Sequence, residues 1–213
     1  GTQMMPFRAL AAMKNVGVHV ASDALALGNL AGAQEQGGAV VIMGEDRWCD
    51  STQVPADSRF MCEHLRMPAV EPSDIQELKD WIALCFKLSQ VAGLYIGYIV
   101  STAAADGGGS VTCYPNQYPR LNAREKFTLE TANVNLDKVL LPPRTWQHEL
   151  KISERFAQTI EAARKLGINH IERGSSKHAP IGFMVTGMGG SYLKHVRGDI
   201  GLAGQLPILS MRM

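Results

Sequence analysis

The chain alternates short, unbroken apolar runs with longer stretches in which apolar residues recur every three or four positions. Residues 39–43 and 94–100 are unbroken runs, the pattern of a parallel strand covered on both faces. Residues 74–90 carry a helical pattern, and Ser73 with Gln76 three positions later predicts a capping box at its start. The apolar stripe of this helix consists of Ile75, Leu78, Ile82, Cys85 and Ser89.

Three further segments complete the first pattern. Residues 8–13 and 67–71 predict strands, and residues 24–36 predict a helix that Ser22-Asp23 caps and Gly37-Gly38 ends. Strands and helices that alternate in this way form right-handed crossovers, so the strands run parallel. The predicted fold class is therefore α/β, a mostly parallel sheet with helices on both faces.

The pattern divides the chain into three parts. Residues 1–105 form the predicted α/β domain. Residues 106–180 begin rich in glycine and proline and are predicted to be an irregular linker with a helix at about 146–166. Residues 181–213 predict the truncated start of a second α/β domain. Its predicted elements are a strand at 181–185, a helix at 189–196 and a strand at 206–211.

Polar side chains follow two of the predicted strands. Residues 14–22 come after the first strand and are predicted to form a loop, and residues 44–57 come after the second. Because ligands bind beyond the carboxyl ends of parallel strands, we expect the two segments to share one margin and to form half of a pocket. Ordinary solvated loops are the alternative, since loops are polar wherever they touch water.

Single residues in these segments leave two interpretations open. His19 is a candidate proton carrier because its unperturbed pKa lies near neutrality, or else a loop histidine bonded to a neighbouring carbonyl. Lys14 is either an anion-binding group or a solvated charge. Glu45 and Asp46 either bind a cation or a hydroxyl, or organise their own loop. Residues 187–190, Gly-Met-Gly-Gly at a strand-to-helix turn, fit either a phosphate cradle or close packing.

Composition narrows the classes of function. The 21 basic and 20 acidic residues nearly cancel, so no summed field favours nucleic acid or an anionic membrane. No apolar run reaches the roughly 18 residues of a membrane span, and no secretory signal is expected. The histidines and the cysteines lack metal-ligand spacing, so no metal site is predicted. We expect reduced thiols in a cytoplasmic protein, with Cys62 and Cys85 packed in the core.

Several motifs, taken in order, resemble one family. They are residues 13–23 (MKNVGVHVASD), 44–59, 70–74 (VEPSD), 139–143 (VLLPP), 168–174 (INHIERG) and 182–187 (GFMVTG). In order and spacing they are similar to landmarks of the indolepyruvate ferredoxin oxidoreductase alpha subunit, in the family of thiamine diphosphate-dependent 2-oxoacid:ferredoxin oxidoreductases. The resemblance covers nearly the whole chain from Phe7 onward.

The resemblance implies a fold, an activity and a set of site residues. Residues 1–105 are similar to the later half of the domain that binds the pyrimidine ring of thiamine diphosphate. The implied reaction is oxidative decarboxylation of an aryl 2-oxoacid, with the acyl group passing to coenzyme A and electrons to ferredoxin. His19 is the candidate catalytic residue. The candidate cofactor-binding residues are Lys14, Asn15, Gly17, Glu45, Asp46, Ser51, Thr52, Gln53 and Arg59.

Parts of the family pattern are absent. The strands that carry the family's activating Glu would precede the first strand, and the Gly-Asp-Gly magnesium motif has no counterpart, since Gly198-Asp199-Ile200 does not match it. The cysteines do not cluster as in the family's ferredoxin-like tail, so no iron–sulfur cluster is expected in this chain. His19 stands where the family has Asn, and Val54 and Pro55 replace an amide and an acid. Thiamine diphosphate with magnesium is therefore expected only at an interface with another subunit or domain.

Two functions follow from this pattern. The first is a subunit or fragment of a 2-oxoacid:ferredoxin oxidoreductase that acts on a small 2-oxoacid and is inactive alone. The alternative is a non-catalytic, divergent domain for subunit association or for binding a small anionic ligand. Half of a sheet leaves an apolar edge that needs cover. Both functions therefore predict a homo-oligomer or a partner oxidoreductase subunit.

Overall fold

A computed structural model describes residues 7–116, 135–176 and 178–213. Residues 117–134 of the predicted linker lie outside the described part of the chain.

The first sheet has four strands, and every neighbouring pair runs parallel. Its order is β1-β2-β4-β3, with β2 and β4 in the centre. The strands are β1 (Ala9–Lys14), β2 (Ala39–Gly44), β3 (Ala69–Val70) and β4 (Tyr95–Val100). This arrangement confirms the predicted α/β class and the parallel sheet.

Helices connect these strands. They are α1 (Asn15–Val20), α2 (Ser22–Ala31), α3 (Ser58–His64), α4 (Ile75–Ala92) and α5 (Thr102–Asp106). The predicted loop at residues 14–22 is wrong, because the chain enters α1 directly from β1. The helix forms there because Val18 is fully buried in the core. A Cβ on Gly17 would lie 3.0 Å from the Met13 Cβ, so the glycine allows α1 to lie this close to β1.

Two predicted helix starts also differ from the structure. Ser22 is the first residue of α2 and makes no capping bond, because α1 ends immediately before it at Ala21. At α4 the cap is Asp74 rather than Ser73: the Asp74 carboxylate accepts the N–H of Glu77, and the Glu77 carboxylate accepts the N–H of Ser73. The capping box therefore exists, one residue further along the chain.

Two apolar cores cover the two faces of the first sheet. On one face, Val40, Ile96 and Tyr98 pack against α4, including Cys85 and Leu88. On the other face, the core combines strand residues with α1, α2 and α3 through Val18, Leu25, Val41, Met43 and Cys62. Burial raises the pKa of the Cys62 and Cys85 thiols to about 12, so both behave as small apolar groups, as the sequence predicts.

Strand β1 differs from the central strands because most of its residues are exposed. It is an edge strand in the described chain, and Leu10 is 49% exposed. Val20 at the end of α1 and Leu27 on α2 are exposed nearby in sequence, at 89% and 49%. The apolar residues of this edge thus have little cover from the described residues.

The segment predicted as a linker helix at about 146–166 forms two helices, α6 (Arg144–Leu150) and α7 (Ile152–Lys165). The single-helix prediction is wrong because the helix is interrupted at Lys151, which is the C-cap of α6 and the N-cap of α7. Ala162 and Ala163 of α7 belong to the same core cluster as α4. This segment therefore packs onto the first sheet's helical layer.

A second, three-stranded sheet follows. Its strands are β5 (His170–Glu172), β6 (Phe183–Thr186) and β7 (Ile208–Met211), in the order β5-β7-β6. Helix α8 (Gly189–Asp199) connects β6 to β7. Strands β6 and β7 are parallel, and β5 is antiparallel to β7. The sequence pattern missed β5, which has three residues and is largely exposed.

A buried polar network joins the helices to the amino ends of the central strands. Asn29 binds the carbonyls of Leu65 and Arg66 and accepts the N–H of Tyr95. The Ser89 hydroxyl accepts the N–H of Ala39 at 2.8 Å and donates to the Leu94 carbonyl at 2.6 Å. These bonds satisfy backbone groups that water cannot reach.

We predict that Ser89→Ala lowers the free energy of unfolding by about 2 kcal/mol, because it leaves a buried N–H and a buried carbonyl without partners. Urea unfolding measures the change. Ser153→Ala on α7 is the matched control, since Ser153 is exposed and Ala favours the helix. Equal effects of the two substitutions would contradict the assigned role of Ser89.

Candidate functional site

The carboxyl ends of β1 and β2 lie side by side. Lys14 pairs with Gly44 in the register of the sheet. The Lys14 Nζ lies 3.6 Å from an oxygen of Asp46 and donates to the Ser51 hydroxyl, and Asn15 donates to the Ala56 carbonyl at 3.1 Å. The segments after the two strands therefore meet on one margin, which we name the carboxyl margin.

Asp46 organises the loop after β2. Its two carboxylate oxygens accept the backbone N–H groups of Asp50 at 2.8 Å and Ser51 at 2.9 Å. The N–H of Ser51, more than any other group, lowers the pKa of Asp46 to about 2. The side chain is almost fully buried. Asp46 is thus a charged acceptor for its own loop, which favours the second of the two interpretations.

Glu45 connects three parts of the margin. Its carboxylate accepts the N–H of Ser58 at the start of α3, at 3.1 and 3.3 Å. Its backbone N–H donates to Val100 at the end of β4, and its carbonyl accepts the Thr102 hydroxyl at 2.6 Å. Burial raises the pKa of Glu45, against the opposing effect of the bonds from Ser58 and of Arg47.

Arg47 lies between three carboxylates. Its nitrogens are 3.6 Å from Glu45, 3.4 Å from Asp57 and 3.6 Å from Glu71. Arg59 joins the same group, 3.4 Å from Asp57 and 3.5 Å from Glu71. The buried Arg47 Nε and Nη2 have no hydrogen-bond partner among the described residues. Arg47 and Glu71 are not among the predicted site residues, and Glu71 reaches the loop only through the placement of β3.

The other predicted site residues fall into two groups. Asn15 is fully buried, and its amide connects the start of α1 to Ala56 in the loop after β2. Gly17 faces Met13, so neither residue presents a polar group to the solvent side of the margin. Polar donors or acceptors remain at the surface on Lys14, Ser51, Thr52, Gln53 and Arg59, with Thr52 half-buried and the others exposed.

His19 lies in the last turn of α1 and is exposed. Its side chain makes no hydrogen bond to the described residues, so the alternative of an imidazole bonded to a neighbouring carbonyl is not observed. Its side chain is open to solvent or to a further polypeptide. A role in proton transfer stays a prediction.

The turn before α8 covers one end of the margin. A Cβ on Gly187 would collide with the Glu71 carboxylate, and one on Gly190 would lie 2.7 Å from the Ser73 hydroxyl. The Ser101 hydroxyl donates to the Met188 sulfur at 2.8 Å. Residues 187–190 therefore serve close packing between the second sheet and the first.

Among the described residues, no group of three or more His, Cys, Asp or Glu side chains could hold a metal ion. None of the helices within them is long and apolar enough to cross a membrane.

No protein-family model matches the chain. The chain is similar to the "Indolepyruvate oxidoreductase subunit IorA" of Archaeoglobus fulgidus, at 28% identity over 99% of the chain and 32% of that relative. The subunit of the same name from Pyrococcus horikoshii is 26% identical over 92% of the chain and 29% of the relative. The chain thus spans about a third of the length of the curated relatives that it matches.

A solved structure, described as "2-oxoglutarate:ferredoxin oxidoreductase from Magnetococcus marinus with 2-oxoglutarate, coenzyme A and succinyl-CoA bound", has the same fold. The match has a TM-score of 0.60 and 13% identity, and it covers 96% of this chain and 41% of the other. Together with the IorA relatives, it confirms the resemblance that the motifs indicated.

The two acids of the carboxyl margin predict opposite pH dependences. The folded-state pKa of Asp46 lies below the usual 3.8, so its stabilisation is complete above that pH and is lost as the pH falls toward 2. Asp46→Asn removes one of the two acceptors and should lower stability at pH 7. Urea unfolding between pH 7 and about pH 3 should show the difference from wild type shrinking on the acid side.

Glu45→Gln is the matched variant. The pKa of Glu45 is raised in the folded state, so the protonated form stabilises below about 4.5 and that stabilisation is lost as the pH rises through the folded pKa. The amide keeps an acceptor for Ser58 without a buried charge. We expect this variant to be at least as stable as wild type at pH 7, and a clear loss there would overturn the assignment.

Proposed function

We propose that the chain is part of an alpha-type subunit of a thiamine diphosphate-dependent 2-oxoacid:ferredoxin oxidoreductase, and that its carboxyl margin forms one wall of the cofactor cleft. The observation that carries the proposal is the junction of β1 and β2, where Lys14, Asp46 and Ser51 are in contact. The names of the relatives support the reaction class. The whole reaction would belong to a longer assembly, since the chain spans about a third of those relatives.

The donor set fits one part of such a cofactor. Thiamine diphosphate has a polar aminopyrimidine ring and a diphosphate that binds with magnesium. Lys14, Ser51, Thr52 and Gln53 offer polar atoms at the open side of the margin, which suits the edge of a polar ring. The carboxylates of Glu45, Asp46 and Asp57 already accept backbone N–H groups or contact arginines. The described residues therefore do not fit the magnesium and diphosphate, which another domain or subunit would have to hold.

The proposed substrate class is an aryl 2-oxoacid. Its support is the printed name of the relatives, which refers to indolepyruvate. On the chain itself, Trp48 is 89% exposed on the loop after β2 and directly follows Arg47 in the sequence. An exposed aromatic ring next to a cationic residue provides contacts for an aromatic acid.

The partner proposal rests on the β1 edge. In a parallel pair, alternate residues face the neighbouring strand, and the N–H of Ala9 donates to the Gly38 carbonyl at 3.0 Å. The N–H groups of Leu10 and Ala12 therefore face away from β2, toward the free edge. We propose that a strand of a partner subunit, rather than a second copy, pairs there, because the relatives are named as subunits.

A non-catalytic role for the chain is the second candidate. The observation that favours it is the use of Glu45, Asp46 and Asp57 as loop acceptors or arginine partners, which leaves no free carboxylate among them. Such a domain would still associate through β1 but would bind no cofactor. The two experiments that follow separate association from cofactor binding.

We predict that thiamine diphosphate with magnesium releases heat when titrated into a mixture of the chain and a candidate partner subunit. Lys14→Gln should weaken that binding on the order of tenfold, because it removes a charged donor from the margin. Lys87→Gln, which changes an exposed lysine on α4, should bind as wild type does. Absence of heat with and without the partner would remove the cofactor proposal, and a complex without cofactor binding would favour the second candidate.

We predict that Ala12→Pro abolishes association with the partner subunit while the chain stays folded. Proline removes an N–H that faces the free edge, and edge strands tolerate proline. Ala12→Val keeps the N–H and is the matched control. Light scattering after gel filtration measures the complexes, and circular dichroism checks the fold. Equal association of the two variants would contradict strand pairing at β1, and a dimer of the chain alone would assign the edge to a second copy.

A further inference from the structure

A second polar cleft lies at the opposite end of the first sheet. Its volume is about 340 Å³, and α6, α7 and the short 3-10 helix Leu136–Lys138 form its walls. Arg155 on α7 fixes the position of the cleft relative to the sheet. Its guanidinium donates to four backbone carbonyls at the ends of α2 and α4, those of Asn29, Leu30, Ala92 and Gly93. Those carbonyls precede the amino ends of β2 and β4. The strands between the two ends span roughly 20 Å, so this cleft is separate from the carboxyl margin.

The cleft is strongly basic. Four cationic side chains line it, and the lining contains a single carboxylate, that of Asp137. The four cations are Lys138, Arg144, Lys151 and Arg155. No carboxylate of the described residues forms an ion pair with any of them. The whole chain has a net charge of only +1, so this concentration of charge is local.

Two of the cations are held close together. Gly32 shows this, because a Cβ placed on it would lie 2.7 Å from Nη2 of Arg155 and 3.1 Å from Nζ of Lys138. The two nitrogens cannot be farther apart than the sum of those distances. Burial lowers the pKa of Lys138, and Arg155 and Lys151 lower it further, while Glu35 opposes them. A bound anion would relieve this repulsion.

The structural role of Arg155 does not account for the other cations. Helix C-termini carry partial negative charge, and the four carbonyls that Arg155 binds explain its place. The side chains of Lys138, Arg144 and Lys151 make no hydrogen bond or ion pair with the described residues. His148 donates through Nε2 to the Asp137 carbonyl at 2.7 Å, which leaves its Nδ1 as the other ring nitrogen at the cleft. The three cations thus surround a space without being used by the fold.

We propose that this cleft binds a small multivalent anion, a phosphate- or carboxylate-bearing metabolite with at least two negative charges. The charge of the cleft, with four cations and one carboxylate, matches a multivalent anion better than it matches a ligand with a single carboxylate. Its small volume and the near-neutral chain argue against a nucleic acid backbone, which needs an extended basic face. The proposal is independent of the proposed function, because the two sites lie at opposite ends of the sheet and share no residue.

The test is calorimetric titration of inorganic pyrophosphate, and separately of citrate, into the whole chain without magnesium at low salt. We expect saturable binding of at least one of them and a rise in the unfolding temperature with that anion. Tighter binding of pyrophosphate would assign a phosphate ligand, and tighter binding of citrate a carboxylate ligand. Absence of saturable binding for both anions would overturn the proposal.

The decisive variant is Lys138→Gln with Lys151→Gln. We expect it to weaken binding at least on the order of tenfold. The matched control is Arg164→Gln with Lys165→Gln. It removes two exposed cations at the end of α7, outside the cleft, and should leave binding unchanged. Equal losses in the two double variants would mean non-specific attraction and would overturn the site. Arg144→Gln gives a second reading should the first double variant fold poorly, and we expect it to weaken binding as well.

Discussion

The central strands β2 and β4 exclude water from both of their faces, and this constraint decides where the polar groups of the first domain lie. Each helix must return across a covered face, so backbone groups without partners collect at the two ends of the sheet. At the carboxyl ends these are N–H groups of loops and helix starts, and Glu45, Asp46 and Asp57 accept them. At the amino ends they are carbonyls of helix ends, and donors such as Arg155 bind them. The buried N–H groups at the carboxyl ends thus have acidic partners, and the helix-end carbonyls at the amino ends have a basic partner.

The same constraint determines which groups the acids at the carboxyl margin bind. A row of carboxylates beyond a parallel strand suggests metal binding when only the sequence is considered. Here Asp46 has both oxygens bonded to its own loop, and its low pKa has the same cause. Arg47 occupies the space between the remaining carboxylates. Glu45, Asp46 and Asp57 are therefore already engaged, and the exposed polar atoms of Lys14, Ser51 and Gln53 remain at the surface of the margin.

The elements that could be predicted from the sequence are those whose burial leaves a periodic trace. Residues 39–43 and 94–100 are apolar at every position because both faces are covered, and α4 shows a stripe because one face is. Helix α1 leaves no such trace: it has six residues, and its β-branched valines alternate with polar or small residues as in a strand. Tertiary contacts of Val18 and Gly17 stabilise it instead.

The candidate site shows the same limit at the level of side chains. The common margin of β1 and β2 followed from parallel pairing alone and could be predicted. The direction in which Glu45 and Asp46 point could not, because it depends on backbone N–H groups four to thirteen residues away along the chain. Glu71 joins Arg47 only after β3 has paired with β4.

The exposed edge and the proposed cofactor cleft are linked by the geometry of the sheet. Strand β1 is largely apolar, yet none of the described residues pairs with it on the side away from β2. A strand that paired parallel with β1 would bury that edge, and its own carboxyl end would then arrive beside Lys14 and His19. The loop after such a strand would face Ser51 across the margin, where the described residues leave the cleft open. Covering the edge and completing the cleft would thus be a single event, and cofactor binding would depend on assembly for a geometric reason.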